Sequence, residues 1–518
     1  MKYDFKVKTI DVTAGGKNTV VLFKDDAADI DVSEMDRVKI TTDGKEAIAL
    51  VQLTHTYVKE GQIASFAELT KKLSLKTGQT VRIEPVDKPA SVAFIKKKLD
   101  GGELSENEIS EIITGLMKDE LSEVELTAFI VGSYIRGLNY PETISLTKNI
   151  LASGTTLNIK RKPIMDKHCI GGVPGNKTSM IIVPIVAAAG LTIPKTSSRS
   201  ITSPAGTADC MEVLAPVTLD EKEIEKVVLK TNGCIVWGGG VNLAAADDKL
   251  IKIRNPLKLD PRGMLLASIL AKKKAVGATH VLIDIPVGVG TKMAGHHDAE
   301  LLARDFMDLG TKLDMEVHCI LTPGYDPIGF AVGPAIEARE VLKILSGENV
   351  SADLIEKGVV MSGLLLEMGG KAKEGEGKAL AETILSSGKA LEKFREIIGA
   401  QGGNAKVKPD DIHIAPKKMD VVATDTGRVH LIEIGVINSI ARLAGAPKDP
   451  SAGLYMYAEK GDKILKGQKL MTIYAESDRK LDAARELFEK SAPFEMDKMI
   501  LGEYSTEQKP YVYEYGKQ

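Results

Sequence analysis

The sequence predicts an α/β protein of several domains. A small helical domain and a large, mostly parallel α/β domain are preceded by a β-rich domain and followed by an α+β domain. Three observations carry that prediction. The chain has 518 residues, more than one hydrophobic core usually serves. Its apolar residues change from short turn-punctuated runs to helical spacing near Ser91. From Ile164 onward, strand-like runs alternate with helical stretches, the pattern of a parallel sheet covered by helices.

The first element, residues 1–85, holds the runs Thr19–Phe23, Arg37–Ile40, Ala47–Val51 and Leu73–Pro85, separated by Gly, Asp and Lys. Pro85 and Pro89 mark its end. Residues 86–160 form the helical domain, to which a segment near 246–276 is expected to return. Ile109, Ile112, Ile113 and Leu116 share one helix face. Ser105 with Glu108 and Ser122 with Glu125 are capping boxes, each side chain able to satisfy a free amide at a helix start. Gly137 suits a helix end, and Pro141 opens the next helix. The α/β domain, residues 161–400, takes its strands from Leu191–Ile193, Cys234–Trp237, His280–Ile285 and Met315–Leu321. A Gly-, Lys- and Pro-rich stretch, Gln401–Pro416, leads to the last domain, 417–518, where Ala458–Gln468 reads as a tight turn between strands.

Composition narrows the function. Hydrophobic residues at 43% and charged residues at 27% describe a globular chain, and a net charge of −3 argues against a general nucleic-acid surface. Any anionic ligand must be held by a local cluster of donors. Aromatics at 4% leave few stacking platforms. Cys169, Cys210, Cys234 and Cys319 lack C-x-x-C spacing, which fits reduced thiols in a cytoplasmic protein. The start, MKYDFKVKTIDVTAG, is no signal peptide, and no apolar run reaches membrane-spanning length. With no H-E-x-x-H motif or carboxylate cage, neither a metal nor an organic cofactor is expected.

Two segments concentrate glycine, hydroxyls and positive charge at strand-to-helix junctions. The first, Asp166–Ser179, leads into an apolar helix. Its glycines let the backbone approach an anion, the helix start offers amides at the positive end of the dipole, and Lys167, Lys177, Thr178 and Ser179 add donors. The bland alternative is a tight turn capping a helix. The segment also nearly matches a P-loop from Gly171 to Lys177-Thr178, with the stretch ending at Asp284 as a Walker B candidate. Asn176, however, stands where that motif needs glycine. The second segment, Thr196–Asp209, sets Arg199 among Ser197, Ser198, Ser200, Thr202, Ser203 and Thr207, all donors for oxyanions. Its alternative is a Ser/Thr-rich turn with Arg199 in a salt bridge.

The run KHCIGGV followed by TS, and then SSR-x6-GT-x-D-x-x-E ending at Glu212, resembles the thymidine and pyrimidine-nucleoside phosphorylase family. KKKLDGGELSENEI, the stretch Arg254–Lys273 and Val332-Gly333-x-Ala335-x-Glu337 extend the resemblance from about Ser91 to the C-terminus. Anthranilate phosphoribosyltransferase resembles the same core more distantly.

The resemblance implies a helical and an α/β domain flanking a cleft, with phosphate bound by Lys167, Ser179, Ser197 and Thr207. It implies a base held by Arg254, Ser268 and Lys272, and His168 near the sugar, though a hydrogen-bonded core histidine is the alternative there. This chain departs from the family at Cys169 and Ile170, where a serine and a threonine are lost, and at Pro174-Gly175. It also carries Lys292 where the family has an aromatic residue. An ammonium there suits a substrate bearing a 5′-phosphate.

These departures, with the leading β domain, resemble the archaeal AMP phosphorylases. That subgroup turns a nucleoside 5′-monophosphate and phosphate into a free base and ribose 1,5-bisphosphate. Its nucleotide-binding positions fall on Gly172, Ser198, Arg199, Ser200, Ile201, Thr202, Ser203, Thr207, Ser268 and Lys292, and its proton donor on Asp260. Asp260 could equally cap the helix begun by Pro261. The expected partners are inorganic phosphate and a nucleoside monophosphate, with a homodimer or larger homo-oligomer as the assembly. The alternative within the fold is a phosphorylase of unphosphorylated pyrimidine nucleosides.

Overall fold

The computed structural model describes residues 3–200, 203–348 and 350–497, which group into two compact units. One comprises the chain up to Lys160 with Gly238–Thr279 and Arg304–Val317. The other comprises Arg161–Trp237, His280–Ala303 and the chain from His318 onward.

The first unit begins with strands β1 (Tyr3–Thr9), β2 (Thr19–Phe23), β3 (Arg37–Thr42), β4 (Lys45–Thr54), β5 (Gln62–Ser65) and β6 (Thr80–Val86). They close into a barrel in the order β1-β5-β2-β4-β3-β6, which leaves no edge strand exposed. Alternate residues, among them Val20, Leu22, Val38, Ile40, Val81 and Ile83, point inward and fill it. The run at Leu73–Pro85 becomes strand only from Thr80. Leu73 instead ends a helix, Ala67–Leu73, that buries Leu69 and Leu73 in the barrel core, and Ser74 turns the chain out at φ 58°. The alternation of Leu73 and Leu75 imitates a strand, but the four-residue spacing from Leu69 decides the packing.

Four helices follow, Ser91–Leu99, Glu106–Met117, Glu123–Arg136 and Tyr140–Ala152. Both expected capping boxes form, and a third links Asn139 and Glu142. Gly137 ends its helix at φ 70°, where a side chain would be strained. Helices Ala245–Leu257 and Arg262–Ala275 return to this bundle, with Leu250, Met264, Ala267 and Ala271 sharing its core with Ile109, Ile112, Phe129 and Leu146. The buried Arg37 ties the barrel to the bundle by donating to the Glu120 carbonyl at 2.6 Å and pairing with Glu125.

In the second unit, β7 (Met165–Cys169), β8 (Ile193–Ser197), β9 (Gly233–Trp237), β10 (His280–Val287) and β11 (Glu316–Pro323) form the α/β core. β10 and β7 pair in parallel, as do β8 and β9, and a parallel bridge from Ile164 to Thr192 joins the groups. Helix Ser179–Ala188 is apolar on every side and buried along nearly its whole length, so it sits inside this unit rather than on it. The C-terminal part adds β12 (Ala331–Val332), β13 (Lys417–Val422), β14 (Gly427–Ile432), β15 (Gly453–Met456), β16 (Lys463–Ile464), β17 (Lys469–Ala475) and β18 (Phe494–Asp497). These form sheets β12-β15-β17-β13 and β16-β14-β18, with helices Ile434–Ala444 and Asp478–Ser491. Among the described residues, no helix is long and apolar enough to cross a membrane.

Candidate active site

Two clusters of charged side chains stand out, one in each unit. In the first unit, Ser268 and Lys272 lie one turn apart on helix Arg262–Ala275, so both face the same neighbour. That neighbour is Asp247, on helix Ala245–Leu257 and only 1% exposed. Its Oδ2 accepts from Ser268 Oγ at 2.6 Å and pairs with Lys272 Nζ at 2.8 Å. Its Oδ1 lies 3.7 Å from Arg254 Nη2, two turns along the same helix. Arg254 Nη1 in turn reaches Asp260 Oδ1 at 3.3 Å. Thus Arg254, Ser268 and Lys272, all singled out in the sequence, meet around a carboxylate that sequence reasoning missed, and Asp260, also singled out, joins them through Arg254.

The charges in this cluster support one another. Burial works against the Lys272 ammonium, but Asp247 and Asp248 outweigh it and raise its pKa. Asp248, half shielded, is pushed up by burial while Lys272 pulls it back. The cap position of helix Arg262–Ala275 is held by Pro261, which makes no side-chain cap bond, and Asp260 precedes it. The Asp260 carboxylate faces Arg254, with 31% of its side chain exposed.

In the second unit, β7 places Lys167 beside Leu282 of β10 and Cys169 beside Asp284. Lys167 is 2% exposed; its Nζ donates to Thr178 Oγ1 at 2.9 Å and lies 3.5 Å from Asp284 Oδ2. Asp284 also accepts from Thr322 Oγ1 at 2.7 Å and pairs with Lys357 at 3.2 Å. Burial pushes the Asp284 carboxyl up, yet Lys167 and Lys357 reverse this and hold it below the usual carboxylate value. Burial pushes the Cys169 thiol to about 11, so it stays a neutral thiol at physiological pH.

After β7 the chain runs through Gly171 and Gly172 at φ 98° and 106°. A Cβ on Gly172 would stand 2.9 Å from Thr291 Cα and 3.3 Å from the Lys292 amide. The glycine loop and the Lys292 loop therefore touch backbone to backbone, uniting two nucleotide-binding candidates 120 positions apart (292 − 172). Thr291 Oγ1 holds its loop against the Gly288 and Met293 carbonyls at 2.8 and 3.0 Å. Gly172→Ala is expected to cost ~1–3 kcal/mol through the positive φ and the clash together, and to reduce activity with little change in overall fold. Steady-state kinetics with circular dichroism checks this.

Lys177 departs from the anion-donor role expected of it. It is fully buried, its Nζ pairing with Glu340 at 2.5 Å and donating to the Ala331 carbonyl at 2.9 Å. Burial opposes its charge, but Glu340 and Glu337 raise its pKa, while burial carries Glu337 itself to about 7. A lysine so engaged cannot reach a nucleotide phosphate. The P-loop reading fails there, and Asp284, its Walker B candidate, is spent on two lysines.

The second loop is braced from within. Asp209 Oδ2 accepts from the Ser200 and Gly206 amides at 2.7 and 2.8 Å. Arg199 pairs with Glu212 and, at 3.3 Å, with Asp209, and lies 4.9 Å from the Trp237 ring centroid. Hydrogen bonding to Glu212 raises its pKa against burial. Ser203 donates to the Ala205 carbonyl at 2.7 Å, and Arg442 donates to the Ser203 carbonyl at 3.0 Å. Ser197 ends β8 and Ser198 follows it, Thr207 opens the short helix Thr207–Glu212, and Ser179 opens helix Ser179–Ala188. His168 sits half-buried on β7. Ile201 and Thr202 lie outside the described residues.

Comparison with known proteins covers nearly the whole chain. Residues 92–154 match the helical bundle domain of the Glycosyl transferase family, residues 161–391 match its a/b domain, and residues 429–495 match the Pyrimidine nucleoside phosphorylase C-terminal domain. The chain is 45% identical to an AMP phosphorylase of Pyrococcus furiosus over 496 residues, 96% of this chain and 98% of that one. It is 44% identical to an AMP phosphorylase of Thermococcus kodakarensis over the same shares of each chain. An AMP phosphorylase of Methanococcus vannielii is 43% identical over 95% of this chain and 98% of its own. Among solved structures, anthranilate phosphoribosyltransferase from Thermus thermophilus has the same fold over 59% of this chain and 98% of its own, with a TM-score of 0.51 at 20% identity.

Proposed function

The chain belongs to the AMP phosphorylases, and on that premise we propose that its two clusters carry out AMP phosphorolysis. It is a pentosyltransferase: AMP and inorganic phosphate become adenine and ribose 1,5-bisphosphate. The observation that carries the division of labour is the convergence of Arg254, Ser268 and Lys272 on Asp247, with Asp260 linked through Arg254.

In this reading Ser268, Lys272 and Arg254 hold the base and Asp260 donates a proton to it. A phosphate oxygen attacks the anomeric carbon, the bond from that carbon to the ring nitrogen breaks, and its electron pair takes the Asp260 proton at the base. Lys167, Ser179, Ser197 and Thr207 hold the attacking phosphate, and His168 contacts the sugar. Gly172, Lys292 and the loop Ser198–Ser203, including Arg199, Ser200, Ile201 and Thr202, receive the nucleotide. Arg199 contributes by keeping that loop's shape through Glu212 and Asp209, since its guanidinium is already engaged. Orientation of both reactants supplies much of the rate.

The same reading extends to CMP and UMP as substrates, to a homodimer or larger assembly, and to the division into domains at 1–85, 86–160, 161–400 and 417–518. Four free cysteines, two of them buried, support a cytoplasmic setting.

Incubation with AMP, CMP, UMP, adenosine, uridine or thymidine, with and without phosphate, tests the proposal. Phosphate-dependent base release from monophosphates alone supports it; release from uridine or thymidine alone returns the chain to nucleoside phosphorolysis. Lys292→Ala is expected to raise KM for AMP ~10- to 100-fold, the worth of one charge-assisted contact to a phosphate. An unchanged KM would remove Lys292 from the 5′-phosphate site.

A further inference from the structure

We propose that Lys357 is a second cationic ligand for inorganic phosphate, beside Lys167. The inference rests on the phosphorylase reading above and extends it to a residue outside both anion-binding segments.

Cys169 ends β7, and Ile170 follows it at the head of the glycine loop. Ile170 is 4% exposed, and Cys169 Sγ is taken up by the Asn176 amide at 3.1 Å. Neither can give a phosphate the hydrogen bonds of a serine and a threonine. The charge at that place is supplied from elsewhere. Helix Ala352–Met368 brings Lys357 against strands β10 and β11, where Nζ lies 3.2 Å from Asp284 Oδ2 and donates to Thr322 Oγ1 at 3.0 Å. Lys167, the expected phosphate ligand, shares that same Asp284 oxygen at 3.5 Å.

Two ammonium groups thus share one carboxylate, and the three groups together carry a charge of +1. All three are nearly buried, Asp284 completely, Lys167 to 2% and Lys357 to 10% exposure. Asp284 Oδ2 makes no hydrogen bond, so it balances the lysines by charge alone. The neighbouring Asp166 is matched by its own lysine, Lys195, at 3.9 Å, and Cys169 is a neutral thiol, so neither removes the excess. An uncompensated buried cation is costly, and a bound anion relieves the cost. Each ammonium has three N–H donors and commits one to a hydroxyl, Lys167 to Thr178 and Lys357 to Thr322, which leaves each with donors for an incoming oxyanion. Asp284 is then a positioning residue that holds both lysines in place until phosphate arrives.

The test uses the full-length enzyme and two variants. Lys357→Gln keeps polarity without charge on a side chain one bond shorter, and Lys357→Arg keeps the charge in a different shape. The expected result for Lys357→Gln is a rise of ~tenfold or more in KM for phosphate, with KM for AMP within about twofold of wild type. Loss of the thermal stabilisation that added phosphate gives the wild-type protein should accompany it. Lys357→Arg should recover part of both. A purely structural lysine would instead lower the melting temperature without phosphate and change both KM values alike. A folded Lys357→Gln variant whose KM for phosphate stays within twofold of wild type overturns the proposal. If that variant does not fold, an unchanged KM for phosphate in Lys357→Arg does the same. Should wild type release no base from AMP, the phosphorylase reading fails, while phosphate-dependent thermal shifts in wild type and variants still decide the role of Lys357.

Discussion

Asp260→Asn is expected to lower kcat for AMP by ~10²- to 10⁴-fold, the usual worth of a positioned general acid, while KM changes little. Asparagine occupies the same volume and can still bond Arg254, so the geometry of the cluster should survive. What it lacks is an acidic proton for the departing base. A helix-capping role cannot account for such a loss, because asparagine caps as well as aspartate and the cap position belongs to Pro261. A second measurement sharpens the test. A nucleotide whose base carries a fixed positive charge leaves without protonation, so the variant should split it at close to the wild-type rate. Equal losses on AMP and on the charged analogue would sink the proton-donor role of Asp260.

The second large effect belongs to Asp247. Removing it by Asp247→Ala leaves Ser268, Lys272 and Arg254 without their shared acceptor inside a closed cluster. Breaking a buried ion pair from one side costs ~3–5 kcal/mol because the remaining charge is stranded. Asp248, 3.5 Å from Lys272, and Asp260, 3.3 Å from Arg254, can take up part of that charge, so the lower end is expected. Denaturant midpoints compared with wild type measure the loss. Asp247→Asn should retain most of the stability, since it preserves an oxygen for Ser268. It should still raise KM for AMP, because Lys272 and Arg254 then lose the charge that orients them. A stable Asp247→Ala variant with normal kinetics would show the cluster to be incidental.

Much of the architecture was legible because its causes are local. Ser105 and Glu108, or Ser122 and Glu125, stand three residues apart, and the capping box they form needs nothing beyond its own turn. Strands such as Thr19–Phe23 and Cys234–Trp237 were equally plain, since β-branched and apolar residues run between turn formers. Other stretches were misread: the strand expected at Leu191–Ile193 runs from Ile193 to Ser197, the turn expected at Ala458–Gln468 contains strand Lys463–Ile464, and Leu73–Pro85 is only in part a strand. There an amphipathic helical turn and a strand lie end to end, and only the barrel core that accepts Leu69 and Leu73 separates them.

The site divides in the same way. Glycines, hydroxyls and lysines crowded into Asp166–Ser179 and Thr196–Asp209 mark a candidate anion-binding region from the residue types alone, and the quoted motifs name the family's chemistry. Which of those donors are available was settled by distant partners. Lys177 resembles an anion ligand in sequence, yet Ala331, 154 residues on, and Glu340 draw its ammonium into the core. Arg442 reaches a loop 239 residues before it, and Asp284 and Lys357 meet Lys167 only because parallel strands and a helix bring them together. Asp247 left one faint signal, its seven-residue spacing from Arg254 along a helix. By itself the sequence determined the elements, the family and the residue types of the site, because capping, periodicity and motif chemistry act over a few residues. The tertiary structure decided which charges face one another, because the energy of a buried ion pair depends on distance through space and not on separation along the chain.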